Sequence, residues 1–293
     1  MKKFQIFYLS AFCFLLAMQT LRAQQTSATP QIQPSPQNAY FNYAGKLIIV
    51  GGGNMPDSLF TLFAQYCGGK DQLVVYIPTA TSDEKYIQEG GHLVKFTSRG
   101  FTNLSTIHTR SKKEADDPKN IDLVRKAKGI FFGGGDQALL TAAYGGTKLY
   151  DEFIALLKRG GVIMGTSAGA TIMGSLLVGG DARNDLTKKF DFEPAFSFVQ
   201  NVAIDQHVLV RNRQFDLIPV IEYYPTNIGV AIDESTAIVV DAQQFKVIGA
   251  SYALLFDPKD WEQQKKQWGK VIKPFKMMAA GDAFNWTTRK IIR

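Results

Sequence analysis

The chain has 293 residues, 45% of them hydrophobic and 20% charged, which excludes a disordered polymer and supplies a core for one large or two small domains. Its 33 basic and 26 acidic residues leave a net charge of +7, too weak to argue for a nucleic-acid partner. Of two cysteines only Cys67 lies beyond residue 23, so a processed chain holds no internal disulfide and its stability rests on the core.

In chain order, Met1-Lys2-Lys3 is basic, Phe4 to Met18 is apolar with little interruption, and Leu21-Arg22-Ala23 offers a small residue at a cleavage point. Together they predict a secretory signal peptide over residues 1–23. A permanent anchor would need a longer apolar run, and Cys13 lacks the small residue before it that a lipid-attachment site carries. The expected product is exported, to periplasm or medium, with no stable membrane anchor. Cleavage removes Lys2, Lys3 and Arg22 and lowers the charge from +7 to +4. Residues 24–42, rich in Gln, Thr, Ser and Pro without apolar periodicity, predict a flexible linker, and residues 43–293 a single domain.

Within that domain Lys46 to Val50 predicts a strand, Ser58 to Tyr66 a helix and Leu73 to Ile77 a strand. A helical stretch over Ile87 to Arg99, a strand over Leu104 to His108, a helix over Ile121 to Ala127 and a strand over Gly129 to Phe132 follow. Continuous Val/Ile/Phe strands separated by helices predict an α/β fold with a mostly parallel central sheet and helices on both faces. Beyond Val199 the pattern turns strand-rich, with Gly229 to Ile232, Ala237 to Val240 and Phe245 to Gly249, which predicts antiparallel edge strands on that sheet.

The chemistry concentrates at turns. Gly51-Gly52-Gly53-Asn54 follows the first strand; it lacks the spacing of a dinucleotide fingerprint and the Lys-Ser/Thr of a phosphate loop, and is assigned to structure, as a pocket wall. Gly133-Gly134-Gly135-Asp136-Gln137 follows Phe132, and there Gly134 and Gly135 can bring backbone amides to an oxyanion. Gly165-Thr166-Ser167-Ala168-Gly169 lies between a strand and a helical stretch reaching Leu177. That is the context of a nucleophile elbow with Ala168 as a further amide donor, although a plain small-residue turn packing helix on strand has the same composition. Of three histidines, His92 and His108 have no other chemistry nearby. His207, in Asp205-Gln206-His207 with Arg211 and Arg213 following, is the candidate base. Glu234 is the candidate acid and Asp181 and Asp185 compete with it; an ordinary α/β-hydrolase places its acid before the histidine, whereas Glu234 follows. No metal-ligand spacing of His or Cys occurs, so neither metal nor cofactor is expected.

The set Gly133-Gly134-Gly135-Asp136-Gln137, Gly165 to Ala170, Asp205-Gln206-His207 with Arg-x-Arg, Ile232 to Ala237 and Gly281 to Phe284 resembles cyanophycinases in content and order. These are serine peptidases related to dipeptidase E, with a fold like class I glutamine amidotransferases, that release β-aspartyl-arginine dipeptides from cyanophycin. The resemblance implies a three-layer fold of that kind, with Ser167 as nucleophile, His207 as base and Glu234 as acid. It also implies that Gln137, Asp205, Gln206, Arg211 and Arg213 line a pocket for cyanophycin or β-aspartyl peptides, without cofactor. Asp216 stands where the family commonly has a third arginine, which leaves the substrate open. An aspartyl dipeptidase, a secreted esterase and a non-catalytic binding protein remain alternatives, and a homodimer is left open.

Overall fold

Runs of β-branched and aromatic residues without a polar face are satisfied only where both sides of a strand are covered, and such runs build the centre of this protein. The structure is a computed structural model and describes residues 40–179, 192–268 and 273–293. Strands β1 (Lys46–Val50), β2 (Val74–Ile77), β3 (Leu104–Thr106), β4 (Gly129–Phe132) and β5 (Val162–Thr166) are parallel, in the order β1-β5-β4-β2-β3. Antiparallel to β1 lies β8 (Thr236–Val240), then β9 (Gln244–Gly249), β12 (Ala283–Asn285) and β13 (Lys290–Ile292), completing nine strands. The fold is thus α/β with a mixed sheet and parallel centre.

The helices are α1 (Asp57–Cys67), α2 (Glu84–Gln88), α3 (Leu93–Thr97), α4 (Lys112–Ala115), α5 (Pro118–Lys126), α6 (Gln137–Tyr144), α7 (Lys148–Lys158), α8 (Ala168–Thr171), α9 (Leu217–Tyr223) and α10 (Pro258–Trp268). Alternation along β1 divides the core: Ile48 and Val50 join Phe60, Phe63 and Phe96 from α1 and α3, whereas Leu47 and Ile49 join Val124, Leu140, Phe153 and Leu156 from α5, α6 and α7.

One element was not expected. Strands β6 (Val202–Gln206), β7 (Ile228–Ile232), β10 (Ala253–Phe256) and β11 (Lys276–Met278) form a second sheet, ordered β11-β10-β7-β6. The run over Gly229 to Ile232 therefore belongs to this sheet and not to the edge of the main one. Ile204, Val230 and Ile232 of the second sheet enter the main core, while Ala203, Ala231, Leu254 and Phe256 meet Leu217, Val220, Ile221 and Trp261 of α9 and α10.

Local chemistry moves two boundaries. The helical stretch from Ile87 is split into α2 and α3 at Gly90 and Gly91, both with positive φ, a conformation that ends helices at glycine. The helix after the elbow is one turn long, not a run to Leu177. At Gly174 the chain passes so close to β6 that a Cβ would sit 2.7 Å from Val202 O, and Ser175 N–H bonds that carbonyl at 2.8 Å.

At the start of the described chain Tyr40 and Phe41, placed in the linker by composition, are buried. Tyr40 stacks on Trp286 with centroids 4.9 Å apart, and its hydroxyl accepts from Arg289, which also pairs with Asp257. The signal-peptide residues, the rest of the linker to residue 39, and Asp181 and Asp185 lie outside the described residues. No helix among the described residues is long and apolar enough to cross a membrane.

Candidate active site

Four strand ends meet in one place. β1 runs into Gly51-Gly52-Gly53, β5 into Ser167, β6 into His207 and β7 into Asp233-Glu234. The parallel pairing sets this up, because Val50 lies opposite Thr166 and Gln206 opposite Ile232.

Ser167 sits on the turn with φ 56° and ψ −116°, a backbone state costing about 1–3 kcal/mol for a residue with a side chain. The surroundings hold it there: its N–H donates to Val50 O at 3.1 Å, and its carbonyl accepts from Ala170 N at 2.9 Å and Thr171 N at 3.1 Å. Both flanking glycines are forced by close approach. A Cβ on Gly165 would lie 2.2 Å from Gly169 O, and one on Gly169 2.4 Å from Phe132 O.

His207 Nε2 lies 3.0 Å from Ser167 Oγ, and His207 Nδ1 lies 2.5 Å from Glu234 Oε1. The geometry places the imidazole between a hydroxyl and a carboxylate, so Nδ1–H donates to Glu234 and Nε2 is left to accept from Ser167. His207 also has positive φ, 55°, and its N–H is held by Gly51 O at 2.8 Å. Burial lowers its pKa below the ordinary imidazole value; Arg211 and Arg213 push the same way, against the hydrogen bond to Glu234.

The Gly51–Gly53 loop is more than a pocket wall. A Cβ on Gly52 would lie 2.2 Å from His207 Cε1 and 2.6 Å from Nε2, and one on Gly53 would lie 2.6 Å from Glu234 Oε2. The imidazole and the carboxylate rest on bare backbone. Sequence reasoning missed this role, and its signal was three glycines at the end of the strand beside the elbow strand.

The second glycine loop approaches from the other side. A Cβ on Gly134 would lie 3.1 Å from Ser167 Cβ. The amides around Gly134 and Gly135 are committed, Gly133 N to Ile77 O at 3.0 Å and Asp136 N to Ala80 O at 2.8 Å. Gly135 has φ 138°, and a Cβ there would lie 2.2 Å from Ala80 O. Because α8 has a single turn, Ala168 offers this site its own amide and little helix dipole.

Of the residues expected to line a pocket, Arg211 is exposed, whereas Gln137, Asp205, Gln206 and Arg213 are buried. Arg213 donates to Gln206 O at 3.2 Å and lies 3.8 Å from Asp205 Oδ1. Gln137 Nε2 donates to Val178 O at 2.9 Å, and Gln206 Oε1 is buried without a hydrogen-bond partner among the described residues. His92 bonds Tyr86 and Tyr76, and His108 bonds Glu84 and Thr79; neither meets Ser167. Cys67 is buried, which pushes its thiol up to about 12, so it offers no thiolate at neutral pH.

An α/β sheet that carries a serine on a strand–turn–helix, hydrogen-bonded to a histidine from a neighbouring strand end, defines the class of serine hydrolases. The chain belongs to peptidase family S51, whose model matches residues 47–248, and is a serine-type peptidase. It is 25% identical over 277 residues to the cyanophycinase of Synechococcus elongatus, covering 89% of this chain and 86% of that one. With the cyanophycinase of Geminocystis herdmanii (strain PCC 6308) it shares 27% over 218 residues, 72% of this chain and 80% of that one. The crystal structure of a peptidase from an acI-B1 Actinobacterium matches with a TM-score of 0.63 at 22% identity, covering 82% of this chain and 96% of that one; at that identity the likeness concerns the fold. The resemblance drawn from the motifs is borne out.

Proposed function

We propose that the protein is an exported serine exopeptidase that cleaves cyanophycin, or related β-aspartyl peptides, into β-Asp-Arg-type dipeptides. The observation that carries this reading is the continuous series from Glu234 through His207 to Ser167, with contacts of 2.5 and 3.0 Å. Ser167 Oγ adds to the carbonyl carbon of an α-peptide bond beside a β-linked aspartyl unit, and its proton passes to His207 Nε2. Glu234 holds the ring and balances the imidazolium. The amides of Gly134, Gly135 and Ala168 receive the oxyanion, each such donor worth about 3 kcal/mol of transition-state stabilisation. His207 then protonates the leaving amine as the C–N bond breaks, and water, deprotonated by the same imidazole, releases the acyl group. A polymer of aspartate bearing arginines presents carboxylates to Arg211 and guanidinium groups to acids such as Asp216.

Support for the substrate comes from relatives named cyanophycinase over most of the chain, and for export from the basic-then-apolar stretch ahead of Ala23. The test is incubation with cyanophycin and with a panel of α- and β-aspartyl dipeptides, the products identified by mass. The intact protein should release dipeptides, and Ser167→Ala should lower kcat by about 10⁴-fold or more while staying folded. Undiminished turnover in that variant would defeat the mechanism; hydrolysis of the short peptides alone would reassign the substrate to an aspartyl dipeptide.

A further inference from the structure

The imidazole of His207 is oriented by Glu234, but the backbone that carries it is held by a different carboxylate. His207 leaves β6 in a left-handed conformation, and the next residues turn sharply, with Arg211 N bonded to His207 O at 3.0 Å and Arg213 N to Val208 O at 2.7 Å. The first amides of such a turn have no partner within it and need an acceptor from outside. Asp233 Oδ1 supplies one, accepting from Leu209 N at 3.0 Å and Val210 N at 3.1 Å. Its second oxygen, Oδ2, accepts from Ser251 Oγ at 2.6 Å.

Asp233 is itself immobilised. It is 5% exposed, and its N–H donates to Tyr252 O at 3.1 Å. Ser251 N donates to the hydroxyl of Thr236 at 2.8 Å, and Ala250 N to Ser235 O at 3.0 Å. The turn at Gly249–Tyr252 is therefore strapped over the segment that leads from β7 to β8. Ser235 N reaches Gly52 O at 3.0 Å, the loop beneath the imidazole.

We propose that Asp233, braced by Ser251, is a positioning residue of the peptidase: it fixes the turn after β6 so that Nε2 of His207 meets Ser167. Adjacent carboxylates then divide the task, Glu234 holding the ring and Asp233 the main chain. The inference rests on the proposed role of His207 as base. A buried carboxylate with three donors and none of its bonds to substrate would otherwise serve only stability, so the test must separate the two.

The experiment compares Asp233→Ala, Asp233→Asn and Ser251→Ala by kcat and KM on cyanophycin, by melting temperature, and by the downfield proton resonance of the His207 Nδ1–H. That signal can be sought with few competitors because the chain has only 3 histidines. Asp233→Ala should lower kcat by about 100-fold with KM little changed, as expected for a base displaced by an ångström, and should broaden or abolish the downfield resonance. Ser251→Ala should lower kcat roughly tenfold, the loss of one hydrogen bond to a charged group. Asp233→Asn, whose oxygen still accepts both amides and whose NH₂ can donate to Ser251, should stay within about threefold of the intact protein. Variants that melt lower but keep kcat and the resonance overturn the proposal; if Asp233→Ala does not fold, Ser251→Ala decides on the same readouts. Failure of the intact protein to cleave cyanophycin would instead remove the proposed substrate, and dependence of the resonance on Asp233 and Ser251 would still support the positioning role.

Discussion

As the proposed base, His207 can accept a proton from Ser167 only while neutral, so its surroundings should decide the pH range of activity. Burial disfavours the imidazolium, and Arg211 and Arg213 repel it, whereas the Glu234 bond favours it; the balance lowers the pKa. The acid limb of kcat/KM should therefore lie below about pH 6.5, the ordinary imidazole value. Arg211→Gln removes one repelling charge and should move that limb to higher pH, besides raising KM if the side chain meets substrate carboxylates. Arg211 is exposed, so added salt should shrink the difference between variant and parent. A pH–rate profile at two ionic strengths checks this, and a limb that stays put or moves down would contradict the assignment of His207 as base.

At the scale of elements, the loop after β1 and the turn after β5 are one construction, because β1 and β5 are parallel neighbours and end side by side. Glycine at position 52 is required by what lies on it. An alanine Cβ would enter the imidazole at 2.2 Å, so Gly52→Ala should displace His207 and lower kcat by about 100-fold or more. The backbone strain of alanine at φ 107° is a separate effect, and Gly146→Ala isolates it: Gly146 has φ 71° and nothing within 4 Å of an added Cβ. Both variants should lose some melting temperature, and only Gly52→Ala should lose turnover. The elbow was legible in the sequence since strand, Gly-x-Ser-x-Gly and helix announce themselves locally. So was His207, one of three histidines and the one among charged neighbours. Gly52 and Gly53 were not, because a glycine whose function is the absence of a side chain leaves no mark until the residue resting on it, more than 150 positions away, is known. The length of α8 was hidden for a related reason: Ile172 to Leu177 reads as helix until Val202 claims Gly174 and Ser175.

The whole molecule shows where periodicity stops informing. β7 and β8 are equally buried five-residue strands, yet one belongs to the second sheet and the other pairs with β1. Burial on both faces erases the alternation that would have separated them, and the crossover at Asp233–Ser235 is what brings Glu234 to the imidazole. Composition likewise placed Tyr40 and Phe41 in a linker, because two aromatic residues after a Gln/Pro-rich stretch have no period to betray them. Tyr40 meets Trp286 and Arg289, more than 240 positions on, and Arg289 is held in turn by Asp257, while Phe41 packs edge-on against Tyr43. A chain beginning at Tyr43 should therefore be less stable than one beginning at Ala39. Loss of a buried Phe side chain alone removes about 3–5 kcal/mol, which for a domain of this size lowers the melting temperature by about 10 °C. Turnover well below the transition should be unchanged, since Tyr40 ties the start of the described chain to Trp286 and Arg289, and neither Tyr40 nor Phe41 contacts Ser167 or His207 among the bonds described. Equal melting temperatures for the two chains would return Tyr40 and Phe41 to the linker, whereas a loss of turnover at low temperature would mean that the packing of Tyr40 on Trp286 and Arg289 supports the strand ends at the site.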